Sequence, residues 1–327
     1  MLDPIKQNNK TVYPIICPMK YGGMKSINCF LYDNGSTLTL IDGGVHTSQF
    51  IDFFNESLKH YQLSIEDIHQ IFLTHHHDDH IGVVNTVLSK KQIPIFAHQK
   101  AIPRLRFDEV YLKNKIDFFK KLYEEYGCLH LSEKRFERMN QTLLNRNELK
   151  IKGDMYPLQE GDQIEDCKII EVPGHSPDSV IFYDESEGLQ FLGDLVLENI
   201  STNALIDFDD NLQLLPTVSQ YEASLRKSLS LHTNWVFAGH ENVFQHHEQE
   251  IEKKLERIKK KESRIVEAVG NGCQTTIDIA DALYGKRVEK EFVFIISEII
   301  GYLEYAISRG KIEKRMVNGQ WHFSVTG

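Results

Sequence analysis

The most constraining feature of the sequence is a run of histidines and aspartates, THHHDDHIG, at residues 74–82. An apolar stretch, IHQIFLT at residues 68–74, leads directly into it, and an apolar helical pattern follows from residue 83. A solvated histidine-rich loop does not need a buried strand on one side and a buried helix on the other. The run therefore predicts a sheet strand that ends in a cluster of metal-ligating side chains.

The spacing within this run predicts ligands for two neighbouring metal ions. On an extended segment, side chains two residues apart point the same way, so we expect His75 and His77 to bind one ion together. The chain then turns, and we expect Asp79 and His80 to face a second ion from the start of a helix. Imidazole and carboxylate ligands suit zinc, although iron and manganese also accept such a set. Gly82 is expected to allow close packing where the chain leaves the site.

Three further candidate ligands each stand alone at the end of a predicted strand. His175 follows KIIEVPG, Asp194 follows LQFLG, and His240 follows NWVFAG. A single Gly-His turn usually carries a surface histidine, but these turns recur in an order that completes two coordination spheres. We therefore predict that all three join the first cluster, and that the carboxylate of Asp194 is suited to bridge two ions.

Composition favours a reduced, non-membrane protein. The 327 residues suffice for one large domain and a small one, and the net charge of −10 argues against nucleic acid or an anionic membrane as a partner of the whole molecule. Five scattered cysteines never occur as CxxC, which favours free thiols and a cytoplasmic location. The N-terminus lacks an apolar signal segment, and no stretch reaches the roughly eighteen apolar residues of a membrane span.

Strand-like and helix-like segments alternate along most of the chain, which predicts an α/β fold. Residues 100–150 are charged and helical in period, so they predict a helical insertion between sheet elements. From about residue 250 three predicted helices precede two strands that flank an Asn-Gly turn signal. This order is typical of a winged helix. We therefore predict a catalytic domain over residues 1–250 and a winged-helix-like domain over residues 251–327.

The set of candidate ligands resembles the metallo-β-lactamase-fold hydrolase superfamily, and the resemblance extends over residues 10–250. It implies an αββα sandwich, in which two mixed sheets pack face to face with helices outside and metal ions at one edge. It also implies two metal sites that share a bridging carboxylate: His75, His77 and His175 for the first ion, Asp79, His80 and His240 for the second, and Asp194 between them.

Two branches of this superfamily are similar to the sequence in different respects. THHHDDHIG resembles the glyoxalase II branch, whereas a C-terminal winged helix resembles the beta-lactamase-like protein 2 branch, in which some relatives cut single-stranded RNA. The sequence also departs from the usual motifs: Asp-Gly-Gly at residues 42–44 replaces Asp-Thr-Gly, Val83 replaces a second glycine, Ser-Pro-Asp follows His175 in place of Thr-Pro-Gly, and Ala238 replaces proline. These departures remove no ligand, but they weaken a transfer of glyoxalase specificity.

The ligand set predicts a hydrolase that needs no serine or cysteine nucleophile. Two ions about 3.5–4 Å apart clamp a bridging water and lower its pKa toward roughly 7, and the resulting hydroxide attacks a carbonyl or phosphoryl centre. Asp79 is a candidate for orienting that nucleophile. The leading hypothesis is hydrolysis of an ester, thioester or related small molecule, and the alternative is a ribonuclease or phosphodiesterase of the same fold. A metal-bearing regulator without catalytic activity is a third reading, which the complete ligand set disfavours.

The C-terminal region bears on the choice between these hypotheses. Its basic side chains alternate with acidic ones, and the third predicted helix, EKEFVFIISEIIGYLEYAISRG, is apolar on most faces and poor in Arg and Lys. A helix that reads a major groove presents such basic side chains. We therefore expect no nucleic-acid partner, and a module that is structural, covers the substrate or forms a homodimer.

Several other side chains are predicted to support the site or the fold rather than to bind metal. His76 should point away from its neighbours, and Asp42, at a strand end, is expected to hydrogen-bond the ligand loops. Asp78 is expected to cap a helix, and His246 and His247 to be solvated. In the insertion, four aromatic side chains could line the substrate entrance, although packing is the stronger expectation: Tyr111, Phe118, Phe119 and Tyr123.

Overall fold

The computed structural model describes residues 2–200 and 202–326, and a seven-stranded sheet forms its first half. The strands lie side by side in chain order, with antiparallel pairs up to the fourth strand and parallel pairs beyond it. They are β1 (Ile5–Gln7), β2 (Lys10–Tyr21), β3 (Met24–Asp33), β4 (Leu38–Ile41), β5 (Gln70–Leu73), β6 (Ile95–His98) and β7 (Met155–Leu158). Parallel neighbours require long crossover connections, and helices supply them here.

A second sheet of five strands lies against the first, and a separate two-stranded hairpin ends the chain. The strands are β8 (Gln163–Ile164), β9 (Cys167–Glu171), β10 (Val180–Asp184), β11 (Leu189–Gly193), β12 (Trp235–Ala238), β13 (Ile312–Val317) and β14 (Gln320–Val325). In the second sheet, β8 to β11 are antiparallel neighbours, while β12 runs parallel to β11 at the sheet edge. The hairpin turns at Asn318 and Gly319, as predicted.

The two sheets meet across an aromatic core. Phe72 of β5 stacks on Phe182 of β10 with 4.6 Å between ring centroids, and Phe30 of β3 contacts Phe237 of β12 edge to face at 5.3 Å. Strands β4, β5, β10 and β11 are buried along their whole length. Because both faces of these strands are covered, their sequences are mostly apolar, and the few polar residues, Thr39, Gln70, Asp184 and Gln190, are buried as well.

Helices cover the outer faces of both sheets. In chain order they are α1 (Ser48–His60), α2 (Val84–Lys90), α3 (Ile102–Leu105), α4 (Glu109–Glu125), α5 (Glu133–Leu144), α6 (Arg146–Leu149), α7 (Thr217–Leu229), α8 (His247–Gly270), α9 (Thr276–Tyr284), α10 (Arg287–Lys290) and α11 (Phe292–Ser308). Phe50 and Phe54 of α1 belong to the core beneath the first sheet, and Tyr221 and Leu225 of α7 belong to the core beneath the second. The predicted αββα architecture is therefore confirmed.

The segment between β6 and β7 is the helical insertion that the sequence predicts, and it consists of α3 to α6. Asp108 caps α4 by accepting a hydrogen bond from the backbone NH of Tyr111. The buried face of α4, which includes Phe119 and Tyr123, packs into the same core as α7 and the C-terminal helices. Its aromatic residues therefore mainly pack the insertion against α7 and the C-terminal helices.

The C-terminal region contains the predicted helices and the hairpin, and α8 begins at His247, close to the expected domain boundary at residue 250. Thr275 caps α9 in a capping box with Asp278, as its sequence position suggested. The apolar helix α11 packs against α7, α8 and α9, so most of its apolar surface is buried within the chain. The division into two domains and the winged-helix likeness stay predictions.

Among the helices of the described residues, none has both the length and the apolar character that a bilayer crossing requires. The longest, α8, alternates Lys and Arg with Glu along its exposed side. The expectation of a cytoplasmic location stays a prediction.

Candidate metal centre

The strand ends bring all seven predicted ligands to one edge of the sandwich. The 74–82 run follows β5 of the first sheet, whereas Asp194 directly follows β11 and His240 lies two residues beyond β12 of the second. His175 lies in the turn that connects β9 to the antiparallel β10. The sheets pack face to face, so these strand ends meet although the residues are far apart in sequence. All of these side chains are buried except His77, which is partly exposed.

A first group of ligand atoms is formed by three histidines, His75, His77 and His175. The Nδ1 atom of His77 lies 3.0 Å from the Nε2 atom of His75 and 3.0 Å from the Nε2 atom of His175. Tetrahedral zinc with bonds of about 2.0–2.1 Å holds its nitrogen ligands roughly 3.3 Å apart. The three nitrogens are thus placed as ligands of one ion, with His77 presenting Nδ1 and the others Nε2.

A second group is formed by Asp79, His80 and His240, and a third combines His75, His80 and Asp194. The Nε2 atom of His240 lies 3.4 Å from Asp79 Oδ2 and 3.4 Å from Asp194 Oδ1. Asp194 reaches both sides of the centre, because its Oδ1 is 3.4 Å from His80 Nε2 and its Oδ2 is 3.5 Å from His175 Nε2. This carboxylate thus contacts members of both three-residue sites.

Unsatisfied polar atoms show that the residues fit a metal ion. Among the described residues, His80 Nε2, His240 Nε2 and Asp194 Oδ1 are buried without a hydrogen-bond partner. Buried polar atoms without partners destabilise a fold by roughly 1–3 kcal/mol each, so natural proteins seldom keep three of them together. All three atoms converge on the same point between the rings, where a divalent cation would satisfy them.

The other ring nitrogen of each buried histidine is held by a hydrogen bond that orients the ring. Asp42 Oδ2 lies 2.9 Å from His80 Nδ1, the Asn203 carbonyl 2.9 Å from His175 Nδ1, and the Ser26 carbonyl 2.8 Å from His240 Nδ1. Such contacts fix the tautomer that leaves Nε2 free to bind metal. The supporting role that the sequence suggested for Asp42 is therefore present, while the two carbonyl contacts had no sequence signal because any residue provides a carbonyl.

Electrostatics divide the candidate ligands into rings that are neutral and rings that attract a proton from a neighbouring carboxylate. Burial lowers the pKa of His75 and His77 well below the usual histidine value, so these rings are neutral. Burial by itself would raise the pKa of Asp194, but the neighbouring His240 and His80 hold it well below the usual range. For His240, burial would lower the pKa, yet the Asp194 carboxylate raises it to about 10. The carboxylates thus attract protons to the neighbouring histidines, and a divalent ion that bound there would displace these protons.

Glycines allow the site loops to approach one another closely. A Cβ atom at Gly82 would lie 2.1 Å from the backbone of Val45, which explains the close packing expected of Gly82. A Cβ at Gly239 would lie 2.4 Å from His80 Cε1 and 2.6 Å from Asp194 Oδ1. The Gly239-His240 pair in the sequence thus reflects a loop that packs directly on ligand side chains.

Three histidine and aspartate side chains outside the ligand set have other contacts. His76 points away from the centre, as predicted, and its Nδ1 lies 2.8 Å from Asp178 Oδ1. The predictions for Asp78 and His247 are wrong. Asp78 caps no helix, because α2 starts only at Val84. Its carboxylate instead accepts a hydrogen bond from the Tyr21 hydroxyl at 3.1 Å. His247 is buried, 3.3 Å from the Ser228 carbonyl.

A cavity of about 550 Å³ opens onto the candidate ligands, and the C-terminal region forms part of its wall. His77, Asp79, His175 and Asp194 lie at its inner end. The remaining wall comes from the β2–β3 turn, the loop after β11 and the α10–α11 junction. The insertion aromatics do not contribute to this wall, and Tyr111 lines a different cavity. The sequence suggested that the C-terminal region could cover the substrate, but it did not indicate which of its residues line the cavity.

The fold and the site together define an αββα protein with a histidine- and aspartate-rich centre for divalent metal. Residues 22–240 match the family model of the metallo-beta-lactamase superfamily. The chain belongs to this superfamily. The predicted superfamily and the predicted class of enzyme, a metal-dependent hydrolase, are thereby confirmed.

Similar proteins agree with this assignment. A "Probable metallo-hydrolase YqjP" of Bacillus subtilis is 27% identical over 278 residues, which cover 83% of this chain and 84% of the relative. A "Beta-lactamase-like protein 2 homolog" of Drosophila melanogaster is 24% identical over 249 residues, which cover 75% of this chain and 68% of the relative. The crystal structure of a metallo-beta-lactamase family protein from Thermus thermophilus superposes with a TM-score of 0.78 at 21% identity, covering 96% of this chain and 98% of that one, which supports the fold.

Proposed function

We propose that this protein is a dinuclear metal-dependent hydrolase of an ester, a thioester or a related small molecule. The observation that carries the proposal is the position of Asp194 between two complete three-residue sites. His75, His77 and His175 would hold the first ion, and Asp79, His80 and His240 the second. Zinc is the metal we propose, because imidazole nitrogen dominates the ligand set.

Two divalent ions held there would polarise the bond to be cleaved and lower the pKa of the attacking water. The residues of the chain then have separate tasks. The carbonyl and carboxylate contacts to His80, His175 and His240 keep the rings aligned for binding. Asp79 lines the cavity as well as the second site, so its carboxylate can also orient the water that adds to the substrate carbonyl. Water adds to the acyl carbon, and the alcohol or thiol leaves with a proton.

Metal analysis tests the dinuclear assignment directly. Protein purified from zinc-supplemented medium should carry close to two ions per chain, and chelation should remove them. The substitution His80→Ala should lower the count toward one and abolish most activity, whereas His69→Ala should not, because His69 lies outside the ligand groups and accepts a hydrogen bond from the backbone of Leu38. A zinc-supplemented protein that contains no metal would overturn the proposal.

Substrate class is tested with a panel of thioester, lactone, phosphodiester and β-lactam compounds on the zinc-loaded protein. We expect thioesters or other acyl compounds to be cleaved fastest, because the cavity that opens on the ligands has a largely apolar wall. Preferential cleavage of the phosphodiester would favour the ribonuclease or phosphodiesterase hypothesis instead.

A further inference from the structure

The cavity that opens on the candidate metal centre joins two distant parts of the chain. Its inner end is formed by the ligands, while Val293 and Phe294, at the start of α11, stand in its outer wall. The remaining apolar side chains of the wall come from the β2–β3 turn and the segment after β11: Met24, Leu197, Ile200 and Leu205. A substrate whose reacting bond lies at the ligands therefore extends along an apolar surface.

Phe294 differs from the other aromatic residues of α11 in its exposure. It is 45% exposed, whereas Phe292, Tyr302 and Tyr305 are buried. Burying a Phe side chain stabilises a protein by roughly 1.5–3 kcal/mol relative to leaving it in water, so an exposed Phe that faces a cavity is available to bind an apolar ligand. Phe294 is thus both exposed and part of the cavity wall.

The charges that the C-terminal region brings to this wall cancel. Arg287 and Glu291 both line the cavity, and they form a bidentate pair, with 3.0 Å from Nε to Oε1 and 2.8 Å from Nη2 to Oε2. The Asp78 carboxylate, which also lines the cavity, accepts a hydrogen bond from the Tyr21 hydroxyl. The part of the wall around Phe294 therefore favours an uncharged apolar group over a charged one.

We propose that Val293 and Phe294 are specificity-determining residues that hold the aliphatic acyl chain of the substrate. The inference rests on the proposed function and makes it more specific. The enzyme prefers esters or thioesters of longer aliphatic acids to acetyl compounds, and the C-terminal region sets this preference. The acyl carbon lies at the ligands, and the chain runs outward past Leu197 to Phe294.

The kinetic test compares octanoyl and acetyl thioesters with one leaving group on the zinc-loaded full chain. Wild-type protein should show the higher kcat/KM for the octanoyl compound. Phe294→Ala should reduce the octanoyl-to-acetyl ratio about tenfold, the size expected when apolar contact with a few methylenes is lost. Met316→Ala is the matched control, because Met316 is also 45% exposed and in the C-terminal region but does not line the cavity. Its ratio should stay at the wild-type value.

A binding measurement separates this inference from the proposed function. Calorimetric titration of octanoate and acetate into the zinc-loaded protein should show tighter binding of octanoate, with the difference reduced in Phe294→Ala. Thioester hydrolysis without chain-length preference, or a ratio that Phe294→Ala leaves unchanged, would overturn the inference alone. Octanoate binding that depends on Phe294, without hydrolysis of any acyl compound, would overturn the proposed function alone. The absence of both would overturn both.

Discussion

At the scale of single residues, Asp42 connects the central sheet to the candidate ligands. Its Oδ1 accepts a hydrogen bond from the Thr74 backbone NH at 2.8 Å, and its Oδ2 accepts one from the Thr74 hydroxyl at 2.8 Å. The same Oδ2 lies 2.9 Å from His80 Nδ1. The residue has a φ of 57°, in the left-handed region that Asp and Asn enter more readily than most residues. The Asp42 side chain thus holds both Thr74, where the ligand run starts, and the ring of His80.

Asp42→Asn should weaken metal binding while the protein stays folded. Asparagine tolerates the same backbone conformation, but its amide replaces one acceptor oxygen with a donor opposite Thr74 or His80. Loss of such a supporting contact lowers metal affinity by about 10–100-fold. Competition with a zinc indicator measures the change, with Asp52→Asn as the control because Asp52 is exposed on α1. Equal affinities for the two variants would show that Asp42 does not support the ligand.

Gly239→Ala should displace at least one of two candidate ligands, His80 and Asp194. The added Cβ would lie 2.4 Å from His80 Cε1 and 2.6 Å from Asp194 Oδ1, so at least one of these side chains must move. We expect fewer than two ions per chain and loss of most activity. The control is Gly270→Ala, whose Cβ would meet nothing closer than Val325 Cγ1 at 3.8 Å. Full metal content in Gly239→Ala, measured by atomic absorption, would contradict the geometry.

At the scale of secondary-structure elements, the insertion helix α4 and the C-terminal helix α11 support each other. The rings of Tyr123 and Phe292 pack edge to face with 5.2 Å between centroids. The Tyr126 hydroxyl donates a hydrogen bond to Glu304 at 2.6 Å, and Lys314 of the hairpin pairs with the same carboxylate at 2.6 Å. The first turn of α11 forms part of the cavity wall. The contacts that hold α11 against α4 therefore also help to position that wall.

Tyr126→Phe should reduce the free energy of unfolding by about 1 kcal/mol, the usual value of one such hydrogen bond. The ring remains and Lys314 still pairs with Glu304, so the metal content should not change. Urea denaturation followed by circular dichroism measures the difference. Tyr156→Phe, at a tyrosine that is 49% exposed, is the control and should have little effect. If both variants were equally stable, the contact between insertion and C-terminal helix would contribute nothing measurable.

At the scale of the whole molecule, three lysines of the C-terminal region are held in ion pairs within the chain. Lys311 pairs with Glu262 at 2.7 Å, Lys314 with Glu304 at 2.6 Å and Lys261 with Glu298 at 2.5 Å. A phosphate must displace these internal partners before it can bind the lysines. Together with the net charge of −10, this arrangement opposes binding of a polyanion.

We expect no sub-micromolar complex with single-stranded RNA at physiological salt. Fluorescence anisotropy with a labelled oligonucleotide, repeated at low salt, tests this, because binding through lysine–phosphate contacts falls steeply as salt rises. A tight, salt-sensitive complex would revive the nuclease hypothesis if Lys311→Glu with Lys314→Glu abolished it. The matched control is Lys113→Glu with Lys121→Glu, which changes two exposed lysines on α4 by the same charge.

The sequence alone determined the class of fold and the candidate ligands, because both depend on local patterns. The apolar runs that end in His75, Asp194 and His240 show where strands stop, and the recurrence of imidazole and carboxylate groups at these ends points to one shared metal centre. Asp42 was also foreseeable, since it directly follows a buried strand. The superfamily could therefore be inferred before any contact was known.

Only the tertiary structure decided which residues surround the ligands. The Ser26 and Asn203 carbonyls that orient His240 and His175 leave no mark in the sequence, because every residue carries a carbonyl group. The cavity wall at Val293 and Phe294 depends on how α11 packs against the sandwich, more than fifty residues after the last ligand. An apolar helix has the same sequence pattern whether it faces a core, a partner or a substrate, and long-range packing alone separates these cases.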